Sequence, residues 1–189
     1  MSEEEKMTEA VLLQTPEKER DFVRIKNAVL FFGGIVFLLI FLFVPLVSKN
    51  DEGAGINAGL SGAQAIGLLF HGFTYSHYEP GIGSFDIAFP PSVFVLLMIA
   101  MVLGLGISVC AAIGWLRGKD WKVTGLFCVA SAVWCAFLYA FLLSPVKIHV
   151  QDFFAQDCLF YQIFAVESGI LLLIVAGALL TAVSFGINE

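Results

Sequence analysis

The chain has 189 residues, 59% of them hydrophobic and only 14% charged, with a mean hydropathy of +0.89. A soluble domain carries about 45–50% apolar and about 25% charged residues, so these values exclude an ordinary soluble globule and point to a polytopic membrane protein. The net charge of −6 says little about nucleic acid, because what matters in a membrane protein is where the basic residues lie; no nucleic-acid partner is expected.

Residues 1–26 read as a cytoplasmic tail followed by the start of a juxtamembrane helix. Residues 1–14 are polar apart from a short apolar patch at 10–13, which suits a disordered tail or a peptide that docks on a partner. Thr15-Pro16-Glu17 then supplies an N-cap residue, a proline for the first helical position and an acid for the first turn. A helix is predicted to start there and run into the first span.

Four apolar runs follow, at 28–47, 93–116, 123–143 and 159–187. Each is close to or above the ~20 residues that cross a bilayer. They predict spans at about 27–47, 92–116, 122–144 and 159–186, within one membrane domain at 27–189. The first run is too long for the apolar core of a cleaved signal peptide and is expected to act as an uncleaved anchor. Lys6, Lys18, Arg20, Arg24 and Lys26 precede it, and Arg117, Lys119 and Lys122 lie between the second and third runs. Only Lys49 and Lys147 lie elsewhere. Eight basic residues against two give a positive-inside bias, so both termini are expected in the cytoplasm of a plasma-membrane protein. The fold class predicted is an all-α integral membrane protein. It is a four-transmembrane-helix bundle with a long first extracellular loop carrying a short interfacial helix.

That loop, 48–91, opens glycine-rich and closes on Pro90-Pro91. Within it, Ser61 and Gln64 have the spacing of a capping box ahead of an apolar run too short to span. A short helix is predicted there, lying at the interface or folded over the ends of the spans. The second extracellular loop is expected at 145–158.

The second and third spans form an antiparallel hairpin, because only six residues, 117–122, separate them. Ala100, Gly104, Ser108 and Ala112 recur every fourth position in one, and Cys128, Ala132, Ala136 and Ala140 in the other. The two rows match level by level about a hairpin centre near Asp120. Small residues let helices approach closely in lipid, so a tight seam along these eight residues is predicted. The first span, rich in phenylalanine (Phe31, Phe32, Phe37, Phe41, Phe43), suits a face turned to lipid or to a partner.

Among ionisable residues, Glu167 is the only charge within the fourth run. An acid in a span is a functional-site hypothesis by default: a proton carrier, a cation ligand or a partner contact. Nearer the interface, it would instead bond water, Gln162 or a group of the first loop. His71, His77 and His149 fall outside the spans, whereas a membrane haem takes its axial ligands from within them; no cofactor is expected. His71, His77 and Glu79 are weak candidates for an external metal site, with no recognised ligand spacing, and no metal is predicted. Cys110, Cys128 and Cys135 read as small packing residues. No GxSxG, HExxH or P-loop spacing occurs, so no enzymatic activity is expected.

Four spans, internal termini and a long first external link resemble the arrangement of claudin-type tetraspan proteins. The resemblance implies that topology alone. Residues 48–90 contain neither the tryptophans nor the paired cysteines of the claudin loop signature. Small multidrug exporters also combine four spans with a membrane glutamate, but in the first span of a shorter chain. The function expected is that of an accessory or scaffolding subunit, with the lipid bilayer and other membrane subunits, or further copies of itself, as partners. A small oligomeric transporter or channel using Glu167 as a proton or cation site is the alternative.

Overall fold

The structure, a computed structural model, describes residues 3–49, 59–68, 70, 74–79, 83–88, 91–145, 147–151, 156–159 and 164–186. It is mostly helical. Its helices are α1 (Glu3–Phe43), α2 (Gly62–Leu68), α3 (Pro91–Arg117), α4 (Lys122–Leu142) and α5 (Ser168–Gly186). Four stretches are long and apolar enough to cross a membrane: Glu19–Phe43, Ser92–Arg117, Lys122–Leu142 and Ser168–Gly186. Helix α1 packs on α3 and α5, and α4 packs on the same two, which closes a four-membered ring. Phe37, Phe41, Ile107, Leu138 and Leu173 are among the buried side chains that fill its centre. Val102, Leu126, Val133 and Leu179 point outward, as the lipid-facing surface of such a bundle must.

The chain reverses between α3 and α4 through a glycine-based stop. Gly118 adopts φ +60°, its N–H donates to Trp115 O at 3.3 Å, and the Lys119 N–H donates to Gly114 O at 3.1 Å. This is the paired bonding of a Schellman motif, which needs a residue without a Cβ at the left-handed position. We refer to this end of the bundle as the turn end.

At the opposite end, the two links between helices carry seven strands among the described residues, and the all-α expectation is corrected there. Strands β1 (Val47–Lys49), β2 (Gly59–Leu60) and β7 (Phe164–Val166) form one antiparallel sheet in the order β2-β1-β7. Strands β3 (Thr74–Glu79), β4 (Gly83–Ala88), β5 (Lys147–Gln151) and β6 (Gln156–Leu159) form another in chain order. In β5, "KIHVQ" alternates apolar with polar residues and includes β-branched ones, and "TYSHYE" in β3 is rich in aromatics; such residues suit a pleated surface. The strands are short and scattered between glycines, so the apolar spans dominate a reading of the sequence. Each sheet unites both links: β1 pairs with β7 at Val47↔Val166, and β4 pairs with β5 at Ile87↔Val150.

The short helix of the first loop is present as α2. The Ser61 N–H donates to Gln64 Oε1 at 2.7 Å, and the Gln64 N–H reaches Ser61 Oγ at 3.5 Å, the reciprocal pattern of the capping box. Helix α2 lies against α1 and α3, so it folds over the ends of the spans.

Three further expectations are corrected. Helix α1 starts at Glu3 and continues through Pro16, where a disordered tail and a start at Thr15 were expected. The upstream Glu, Lys, Met, Ala and Leu residues favour helix, and Glu3–Glu5 suit its first turn. Span four begins at Ser168 instead of 159, because residues 156–159 and 164–166 are strands. The small-residue seam is also differently partnered. A Cβ on Gly104 would lie 2.7 Å from Phe37 Cδ1, and one on Gly34 would lie 3.1 Å from Ser108 N, so this row of α3 receives α1. On α4, Ala136 and Ala140 are exposed. Ala132 meets α5, where a Cβ on Gly177 would stand 3.0 Å from its Cα. A row of small residues marks a face of close approach without naming the neighbour that uses it.

Candidate functional site

Glu167 stands at the junction of β7 and α5, one residue before the helix begins. The backbone fixes it there: its N–H donates to Leu46 O at 2.9 Å, and the Gly169 N–H donates to Pro45 O at 3.2 Å. Pro45 and Leu46 lie just beyond the end of α1 at Phe43. The exit from the first membrane helix and the entry to the last are thus stitched together by main-chain bonds and by the β1–β7 pairing. Ser48, buried on β1, donates its hydroxyl hydrogen to Glu167 Oε1. The carboxylate, half-buried, therefore lies at a helix N-terminus, where the partial positive charge of the unpaired N–H groups favours an anion.

The environment explains why the sequence tolerates an acid beside an apolar run. Glu167 marks the end of a membrane helix, and its partner is a group of the first loop, one of the options its position left open. Ser48 itself was missed. It directly follows the first apolar run, and nothing in its local sequence signals a contact 119 residues away.

A second polar cluster lies at the turn end. Lys26, only 3% exposed, donates from Nζ to Asp120 Oδ2 at 2.8 Å. The neighbouring Asn27, fully buried, donates from Nδ2 to Lys119 O at 3.0 Å. Gly114 makes room, since a Cβ there would fall 2.9 Å from Asn27 Nδ2. Asn27 Oδ1 and Thr124 Oγ1 are buried without a hydrogen-bond partner among the described residues. In sequence, Lys26 reads only as one of the basic residues that orient the first span. A signal was present in Asp120, the one acid in an otherwise basic link.

Of the weak metal candidates, His77 and Glu79 fall on β3, and His71 lies outside the described residues. His149 is on β5, separated from β3 by β4. Among the described residues, no three His, Cys, Asp or Glu side chains converge. Cys110, Cys128 and Cys135 are free thiols within the spans. The geometry thus provides a carboxylate clasp at the sheet end and a salt-bridged latch at the turn end.

Comparison with models of known protein families, with curated proteins and with solved structures finds no match to this chain.

Proposed function

We propose that this protein is a non-enzymatic accessory or scaffolding subunit of a membrane assembly. It spans the plasma membrane four times with both termini cytoplasmic, the orientation that the eight-to-two distribution of basic residues favours. One observation carries the functional reading: strands of the first and second links pair with each other, β4 with β5 and β1 with β7. Closing long links into common sheets costs chain entropy. The result is two sheets that each join both links, the β2-β1-β7 sheet bonded to the ends of α1 and α5, and an ordered surface of this kind suits recognition.

The transport reading is weaker on these observations. Glu167 lies at the start of α5 with Ser48 on its Oε1, and the bundle interior is mostly apolar, with Ser108, Ser131 and Ser184 as buried hydroxyls.

Co-purification from native membranes in mild detergent tests the proposal. A stoichiometric membrane partner, lost when the β4–β5 pairing is disrupted by proline substitution at Val150, is the expected outcome. A homo-oligomer with no other subunit, conducting ions in liposomes in a manner abolished by Glu167→Gln, would replace this reading with transport.

A further inference from the structure

The turn end carries a group of cations that neither the fold nor the clasp accounts for. Arg20 and Arg24 sit one turn apart on α1, on the same side of the helix, and both lie over the reversal between α3 and α4. A Cβ on Gly118 would be 3.4 Å from Arg20 Cγ and 3.5 Å from Arg24 Nε. Arg117, whose guanidinium carbon lies 5.8 Å from the centre of the Trp121 ring, and the exposed Lys119 flank that glycine in sequence. Asp120, the only acid of the link, is held by Lys26 at 2.8 Å and is thereby partly neutralised. Glu19 and Asp21 are each rotated about 100° around the helix from Arg20, and Asp21 lies one turn before Arg24. Among the described residues, no carboxylate forms an ion pair with Arg20 or Arg24.

An apolar path starts beside these charges. Trp115 and Leu116, which precede Arg117, are exposed on α3, and Phe31 lies within about 20° of Arg24 around α1. About two turns further along α1, ~11 Å, Phe31 and Phe32 contact the Trp115 ring, with centroids 6.1 and 6.4 Å away. Cations followed by an aromatic level match the phosphate and the interface of a phospholipid leaflet in order.

We propose that the groove between α1 and the α3–α4 turn binds an anionic phospholipid of the leaflet at that end. Arg20 and Arg24 hold the headgroup phosphate over Gly118, and the acyl chains lie along the Trp115–Leu116 and Phe31–Phe32 surfaces. Charges that merely orient a protein in the membrane have no need to converge on one glycine. A planar guanidinium matches phosphate in two-point hydrogen bonding, and a second lies one turn away. A soluble anion would use only the charges, whereas a lipid occupies both halves of the groove.

The test uses the full chain in nanodiscs, where both leaflets are accessible and the direction of insertion no longer matters. Energy transfer from the protein's tryptophans to dansyl-labelled phosphatidylglycerol is compared with transfer to the labelled phosphatidylcholine. Enrichment of phosphatidylglycerol is expected, falling about fivefold for each arginine changed to glutamine in Arg20→Gln and Arg24→Gln. Arg20→Lys with Arg24→Lys should fall between, since charge is kept and the planar fork is lost. Both arginines are exposed, so an unchanged unfolding temperature in detergent serves as the folding check. Equal enrichment in the wild type and the double glutamine variant would overturn the proposal. So would an equal loss from Lys6→Gln with Lys122→Gln, which would mark diffuse surface charge. Competition by millimolar inorganic phosphate as strong as that by the lipid would reassign the groove to a free anion.

Discussion

Ser48 donates its hydroxyl to Glu167 Oε1 across 119 residues, joining the strand that leaves the first membrane helix to the residue that opens the last. Because Ser48 is buried, deleting the carboxylate leaves a hydroxyl without its acceptor, and a buried unsatisfied group costs about 1–3 kcal/mol. Glu167→Ala is therefore expected to lower stability by an amount in that range. Glu167→Gln keeps a carbonyl oxygen for Ser48 and should cost less. Thermal unfolding in detergent decides between them: equal losses would mean that the negative charge at the α5 N-terminus, and not the bond to Ser48, is what matters.

The Lys26–Asp120 pair predicts an asymmetry. Lys26 is 3% exposed, whereas the Asp120 side chain is 38% exposed and can turn to water. Asp120→Asn takes a charged partner from a buried ammonium, at a cost we place at about 1–3 kcal/mol. This lies below the range for fully buried pairs because one member is screened. Lys26→Met retains most of the aliphatic stem and leaves a carboxylate able to hydrate, so it should be the milder change. Chemical unfolding of the two variants in the same detergent would contradict this reasoning if Lys26→Met proved the worse.

Much of the helical frame was legible, because lipid imposes long apolar runs and a charge-marked turn that a linear sequence displays directly. The capping box at Ser61 and Gln64 was equally readable, since its two members are three residues apart. The strands were not, because pairing such as Ile87↔Val150 depends on residues far apart in sequence. The same distance hid Ser48 from Glu167 and Lys26 from Asp120. The proposed seam failed for a related reason: Gly104 and Ser108 identify a thin face of α3, but only the assembled bundle shows that Phe37 of α1 fills it.

That reassignment can be tested by overpacking. Gly104→Leu would drive a side chain into Phe37 and Leu38 and is expected to cost on the order of 1–3 kcal/mol. Ala136→Leu, on an exposed position of α4, should change stability by less than about 0.5 kcal/mol, as substitutions away from packed contacts do. The seam first read from sequence requires both to be destabilising. Unfolding temperatures of the two variants, measured side by side, separate the arrangements.

The joining of the two links makes a covalent prediction. Ile87 and Val150 are directly opposed across the antiparallel β4–β5 pair, where Cα atoms stand about 4.5–5.5 Å apart. That separation lies within the ~4.4–6.8 Å range a disulfide spans. In a Cys158→Ser background, Ile87→Cys with Val150→Cys should form an intramolecular disulfide under mild oxidation, detected by mass spectrometry of the unreduced protein. Ile148→Cys in place of Val150→Cys moves the thiol one diagonal step, to about 7–8 Å, and should crosslink far less. Equal yields from both pairs would show that the register is not fixed, and the ordered surface proposed for partner binding would lose its foundation. Crosslinking confined to the opposed pair would instead show that the two links are held in register at β4 and β5, which the co-purification experiment can then probe by preventing the same pairing.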